Sequence, residues 1–293
     1  SFCGGSGGGS RWSTVGAERR SNSLAKMADR NDPDGFSRQL LAGLPVIPAY
    51  WPRMRPLNRR GPAPLRQLGS PGYHGILTPA PLEPDAVREL LDREAIYLVD
   101  ARDPAAFGGA HIPGSFSIGL GESFGIWAGS VVPHDRPIVL VLPVEAGSPD
   151  GLAQTWSSAV RQLLRAGYDR VSGYLAGGLR AWADSGHRFD RLEQLTAQEA
   201  QSHTQNGAWS LLDVRQPKEW AESHAPGALH VPGAALPARL DGIDRDRRWL
   251  VACSTGYRSS IAASLLRRAG LTDVGNVLGG MTAWTRAGLP VER

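Results

Sequence analysis

The chain writes one pattern twice. LVDARDPAAFGGAHIPGSFSI, from Leu98, matches LLDVRQPKEWAESHAPGALHV, from Leu211, at a constant offset of 113: Asp100 over Asp213, Arg102 over Arg215, His111 over His224, Pro113 over Pro226 and Gly114 over Gly227. Farther on, LLRAGYDRVSGYLAGGLRAWADSG matches LLRRAGLTDVGNVLGGMTAWTRAG with Trp182 over Trp284, and the offset has fallen to 102. The second copy is therefore 11 residues shorter between the two blocks. A repeat of this length makes each copy a folding unit, and the 293 residues are enough for two ordinary domains.

Each copy carries the same succession of elements. A short helix (PDAVRELLDR; TAQEAQSHTQ) leads to an apolar strand that ends in Asp (AIYLVD; WSLLDV). A second apolar run follows (RPIVLVL; RRWLVAC), then a helix (LAQTWSSAVRQLLRAG; SSIAASLLRRAG), another strand and a closing helix. Strands that are apolar on both faces and alternate with helices predict a mainly parallel sheet covered on each side. The expected fold class is α/β, two tandem domains preceded by an extended arm: residues 1–75, 76–189 and 190–293, with the inner boundary near Phe189 after the turn SGHR.

One of the chain's two cysteines sits in VACSTGYRSS, at the end of an apolar strand. The following helix is predicted to bury one face, because Ile261, Leu265 and Ala269 recur at helical spacing and Ala262 and Leu266 widen the stripe. Arg267 and Arg268 suit its last turn and Gly270 its stop. Cys253 thus lies where a strand leaves the sheet and a helix begins, the place where open α/β sheets bind ligands. An ordinary thiol is only about 3% ionised at neutral pH; helix-start amides and a cation bring such sulfurs to roughly 3.5–7.5. Arg258 supplies the cation, Gly256 lets the backbone close around the sulfur, and Ser254, Thr255 and Ser259 offer hydroxyls. A buried structural cysteine would call for none of these neighbours.

CSTGYRS fits the Cys-x-x-Gly-x-Arg-Ser loop of the rhodanese family, sulfurtransferases that carry sulfane sulfur as a cysteine persulfide. The chain from about residue 76 onward resembles two tandem copies: LDVRQPKEWAESHAPGAL is similar to the family's Asp-x-Arg strand end and His-x-Pro-Gly-Ala turn, and LGGMTAW to its Gly-Gly-x-x-x-Trp close. The resemblance implies that Cys253 is the nucleophile and that Ser254, Thr255, Gly256, Tyr257, Arg258 and Ser259 bind the substrate. Arg258 would hold an anionic donor such as thiosulfate or a low-molecular-weight persulfide, and Tyr257 would line the entrance. Asp213 and Arg215 would brace the loop and His224 would be a turn residue. The implied acceptor is a thiol or cyanide, with no cofactor and no metal.

Aligning RPIVLVL with RRWLVAC puts Leu142 opposite Cys253, and the stretch that follows, PVEAGSPDG, holds neither cysteine nor arginine. The first copy is expected to form no persulfide. Two rivals remain for the second: a phosphatase or arsenate reductase, and a non-catalytic interaction module. Phosphatase loops place five residues between Cys and Arg; here there are four, and Ala252 stands where a histidine often precedes the cysteine.

The first 75 residues hold 11 Lys and Arg against 4 Asp and Glu, so the net charge of +4 belongs to the leading segment. Its basic run, RMRPLNRRGPAPLRQL, is broken by prolines and lacks the interleaved aromatics of a nucleic-acid face; neither nucleic acid nor membrane is an expected partner. This segment resembles the tail of the metallo-β-lactamase-fold domain fused to tandem rhodanese domains in persulfide dioxygenase proteins, without that family's His-x-His-x-Asp-His run. FSRQLLAG is predicted helical and the proline-rich stretch after it extended. A metallo-β-lactamase-fold domain or a second copy of the chain are the macromolecular partners left open. Cys3, in a glycine-rich stretch, is expected to be inert, and two cysteines with no secretory signal predict a cytoplasmic protein.

Overall fold

The computed structural model describes residues 12–30, 32–42, 47–68, 75–143 and 149–293. Cys3 and the glycine-rich stretch around it lie outside the described residues, as do Val144–Ser148 of the first copy's counterpart to the cysteine loop. The chain divides into Ser1–Ile47 and Pro48–Arg293. In the smaller unit, helices Val15–Ser21, Ser23–Asp29 and Pro33–Ala42 follow one another. Thr14 and Asn22 cap the first two with their side chains, and the third includes the predicted FSRQLLA helix.

The larger unit contains two five-stranded parallel sheets of identical topology. The first has strands β1 (Pro81–Leu82), β2 (Tyr97–Asp100), β3 (Phe116–Ser117), β4 (Ile138–Val141) and β5 (Val171–Leu175), in the order β1-β5-β4-β2-β3. The second has β6 (Glu193–Leu195), β7 (Ser210–Asp213), β8 (Leu229–His230), β9 (Trp249–Ala252) and β10 (Val274–Val277), in the order β6-β10-β9-β7-β8. The central strands β2, β4 and β9 are buried along their whole length and β7 from Leu211 onward, the reason their sequences read as apolar runs. The register settles the alignment of the copies. Asp100 pairs with Val141 and Asp213 with Ala252, so the next residues, Leu142 and Cys253, occupy one structural position.

One apolar cluster runs from the first sheet (Val99, Phe116, Leu140) through the second (Leu212, Val251) and includes Cys253; each sheet has a smaller cluster on its other face, around Trp182 and Trp284. The helix Tyr257–Arg268 lies inside this shared core. The sequence predicted one buried face for it, but Ser259–Leu266 are all buried. The second face is taken by the first copy: Ser264 Oγ accepts from the Ser117 amide at 3.0 Å, and the Ser260 and Ser117 hydroxyls are 2.7 Å apart. Serines at these positions satisfy the polar edge of β3, which an all-apolar helix would leave unpaired. Arg268 stacks on Phe116, 4.0 Å from guanidinium carbon to ring centroid, and donates to the Gly114 carbonyl.

The predicted extended stretch after FSRQLLAG is corrected in part: Trp51–Arg60 is an α-helix. Pro52 sits in the first turn, where its missing N–H costs nothing, and only Pro56 interrupts the ladder. Packing offsets that loss, since Tyr50 lies against Gly129 and Met54 and Leu57 against Gly167.

Candidate active site

Cys253 is the first residue past β9, and the short loop Ser254–Gly256 joins it to the helix Tyr257–Arg268. Gly256 has φ +106°, a conformation that disfavours a side chain, and this turn aims its amide at the sulfur: Gly256 N to Cys253 Sγ is 3.1 Å. Ser259 Oγ donates to the same sulfur at 3.4 Å. The helix's first backbone bond from this turn runs from Ser260 N to Gly256 O, so the amides of Tyr257, Arg258 and Ser259 stand outside its ladder at the positive end of the dipole. Cys253 is 1% exposed.

The loop is held from behind by the closing helix Gly280–Arg286. Met281 N donates to Cys253 O at 2.7 Å and Thr282 N to Ser254 O at 3.0 Å. Because N–H and C=O point oppositely across a trans peptide, fixing these carbonyls on the closing helix turns the intervening amides to the other side. Gly279 and Gly280 both have positive φ, and Gly280 lies so close to the loop that an added Cβ would be 2.8 Å from the carbonyl carbons of Cys253 and Ser254. LGGMTAW is thus the support of the cysteine loop.

Sequence reasoning gave Arg258 an uncommitted charge beside the sulfur and missed Glu219. Arg258 Nη1 donates to Glu219 Oε2 at 2.6 Å and Nη2 to Oε1 at 2.8 Å, a bidentate pair; Nη2 also reaches Ser254 Oγ at 2.6 Å. Ser254 in turn donates to Glu219 Oε1 at 2.6 Å, so its hydroxyl serves this triangle and not the sulfur. Glu219 stands in the first turn of the helix Pro217–Glu222, where it also accepts from the Gln216 amide in a capping box. Contrast between the copies was the available signal: the repeat offset puts Ala106 opposite Glu219, in the copy that also lacks the arginine.

Burial pushes the Glu219 carboxyl up, but hydrogen bonds from Arg258, Ser254 and the Gln216 amide, with the Arg258 charge, outweigh it and hold it down at about 2, against an ordinary 4.5. Burial pulls the Arg258 guanidinium down, while Glu219 and the neighbouring Cys253 more than offset this. The folded value of Glu219 being the lower, the pair's stabilisation is complete above the unfolded value of 4.5 and is lost as pH falls toward 2. Glu219→Gln is therefore expected to flatten the fall in stability between about pH 5 and about pH 3, measured by urea titration at the two values. Equal falls in both proteins would show that the carboxyl titrates normally.

Tyr257 donates its hydroxyl to Gly119 O of the first copy at 2.8 Å, and burial pushes its phenol up to about 12. Trp127, also from the first copy, lies 3.3 Å from the position of a Cβ on Gly233, beside the Val214 carbonyl. Thr255 is exposed. Asp213, Arg215 and His224 are gathered elsewhere, at the ends of β7 and the helix Pro217–Glu222. Arg215 Nε bonds both Asp213 oxygens at 3.0 and 2.9 Å, and Nη2 bonds Asp213 Oδ2 at 2.6 Å and the Ser223 carbonyl at 2.7 Å. His224 Nδ1 lies 3.1 Å from Trp220 O, its ring stacked on Trp220. The first copy repeats this arrangement with Asp100, Arg102 and His111. Among the described residues there is no cluster of His, Cys, Asp and Glu that would hold a metal ion, and no helix long and apolar enough to cross a membrane.

A parallel α/β domain in duplicate, with a cysteine cradled by amides between strand and helix, defines the class of protein. The family model for the rhodanese-like domain matches residues 83–185 and again 196–287, and the chain belongs to that family. It is similar to a protein of Allochromatium vinosum named sulfurtransferase, 40% identical over 81 residues, which are 28% of this chain and 76% of that protein. Among solved structures it is similar to a rhodanese-related protein of Thermoplasma volcanium (28% identity, 34% of this chain and 97% of that one, TM-score 0.32). It is also similar to the thiosulfate sulfurtransferase of Pseudomonas aeruginosa (25% identity, 73% of this chain and 43% of that one, TM-score 0.32).

Proposed function

We propose that the chain is a sulfurtransferase that carries sulfane sulfur as a Cys253 persulfide. The observation that carries the reading is the sulfur itself, held where a strand meets a helix and bonded by the Gly256 amide at 3.1 Å and the Ser259 hydroxyl at 3.4 Å. Membership of the rhodanese-like family and likeness to a protein named sulfurtransferase support it. In this reading the Cys253 thiolate attacks the outer sulfur of R–S–SH or of thiosulfate. The donor's S–S bond breaks, and the thiolate RS⁻ or sulfite leaves with the electron pair. An acceptor thiolate or cyanide then attacks the outer sulfur of the persulfide, and the Cys253 thiolate is restored. The loop amides and Ser259 hold the terminal sulfur between the two steps, Ser254 and Thr255 flank it, and Tyr257 forms one wall.

The reading extends to the rest of the chain. Residues 190–293 are the catalytic domain, and residues 76–189, with Leu142 in place of the nucleophile, are a copy without persulfide chemistry that buttresses Tyr257 and the helix Tyr257–Arg268. Asp213, Arg215 and His224 support the loop. Residues 1–75 are the tail of a metallo-β-lactamase-fold domain, which would set the protein among persulfide dioxygenase and rhodanese fusions in sulfide detoxification.

The test is to incubate the protein with thiosulfate or glutathione persulfide, weigh it intact and map the added mass. One sulfur atom on the Cys253 peptide is expected. No gain with either donor, sulfur on Cys3 alone, or hydrolysis of an aryl phosphate without any gain would overturn the proposal, the last in favour of a phosphatase.

A further inference from the structure

The cradle holds one cation and that cation is already matched. Arg258 is the only basic side chain between Cys253 and Ser260, and both its terminal nitrogens are engaged by the two oxygens of Glu219. Its side chain is 18% exposed, and Ser254 closes the triangle by bonding both partners. Where the repeat replaces Cys253 by Leu142, it also replaces Glu219 by Ala106, and Pro143–Pro149 contains no arginine. Bracing the first copy's sheet needs the Asp100 and Arg102 pair but not this one. The Glu219–Arg258 pair therefore goes with the sulfur site, whatever it also lends to the stability of the second domain.

Thiosulfate and an alkyl persulfide make different demands on such a site. Attack on thiosulfate brings a thiolate against a dianion and expels a second dianion, sulfite. Attack on R–S–SH with an uncharged R expels a single thiolate. A free guanidinium would favour the first; a guanidinium beside the sulfur but bonded on both terminal nitrogens to a carboxylate has its net charge largely offset, and the amide dipoles and hydroxyls that then dominate suit a monoanion. On the sulfur-transfer reading of Cys253, we infer that Glu219 is a specificity-determining residue: by neutralising Arg258 it sets the cradle for persulfides that carry little charge, against the thiosulfate dianion.

Two single variants and their combination test this. The second-order rate of Cys253 loading is measured by intact mass with thiosulfate and with ethyl persulfide generated in situ, and the ratio of the two rates is compared. Glu219→Gln keeps the shape and frees the arginine; the thiosulfate-to-persulfide ratio is expected to rise about tenfold. Arg258→Gln leaves Glu219 unopposed, and the ratio is expected to fall about tenfold. The double variant is neutral again and should return to within about threefold of the wild-type ratio, although it lacks the ion pair altogether. Ratios that move together, or that stay within about twofold in both single variants, would overturn the inference and leave a structural clamp, since loss of loop geometry penalises both donors alike. If either single variant is unfolded by circular dichroism, the remaining single variant and the double variant still decide by the same signs. Failure of the wild type to load from either donor is a different result, and it strikes the sulfur-transfer reading itself.

Discussion

Gly280→Ala is expected to cost about 3 kcal/mol of folding stability and to abolish sulfur loading, because a left-handed backbone and a backbone collision are penalised together. Gly280 has φ +52°, and a Cβ built on it lies 2.8 Å from the carbonyl carbons of both Cys253 and Ser254. Neither atom belongs to a flexible side chain, so relief requires the closing helix to draw back from the loop. The Met281 and Thr282 amides would then release the Cys253 and Ser254 carbonyls, and the peptide planes that turn amides toward the sulfur would lose their support. Gly288→Ala is the matched control. Its φ is +68° with nothing within 4 Å of an added Cβ, so only the conformational term applies, about 1 kcal/mol. Urea unfolding of the two variants, with loading measured by mass, checks this. Equal costs, or a Gly280 variant that loads normally, would show that the loop does not depend on the closing helix.

The legible and illegible parts of the molecule divide along a physical line. Strand β9, the cysteine loop and the helix after it could be read because each is specified locally: an apolar run, a glycine, a helical stripe, basic residues in the last turn and a glycine stop. The equivalence of Leu142 and Cys253 was readable for the same reason, since strand register follows from two aligned apolar runs. What could not be read depends on surfaces brought from elsewhere in the chain. Ser260 and Ser264 look like the polar side of an amphipathic helix until β3 of the other copy is laid against them. Trp51–Arg60 looks too rich in proline for a helix until Tyr50, Met54 and Leu57 find their places on the first domain. Glu219 looks like an ordinary helix-start residue, and its capping role is real; only the folded chain shows the same carboxylate meeting Arg258, 39 residues away. In each case a local role concealed a long-range one.

The other large effect is expected from the pair that sequence reasoning assigned to bracing. Arg215→Met should destabilise the second domain by about 3–5 kcal/mol, the range found when one partner of a buried ion pair is removed. Asp213 is wholly buried at the end of β7, where its residue pairs with Ala252, directly before the cysteine. Both its oxygens are bonded by the Arg215 side chain and one also by the Arg215 amide, so the variant leaves a buried carboxylate with a single amide partner. The Ser223 carbonyl loses its donor as well. Replacing both partners, as in Asp213→Leu with Arg215→Met, removes the stranded charge and should recover about half of the loss, because the remaining deficit is the Ser223 carbonyl and the amide of residue 215. In the first copy Arg102 is the more solvated partner, its side chain 17% exposed against 6% for Arg215, so Arg102→Met should cost less. Denaturant unfolding of the three variants gives the ordering directly. An Arg102 variant as unstable as the Arg215 variant would mean that burial does not set the cost, and a double variant worse than the single would mean that the pair stabilises the fold outright and does more than satisfy its own desolvation.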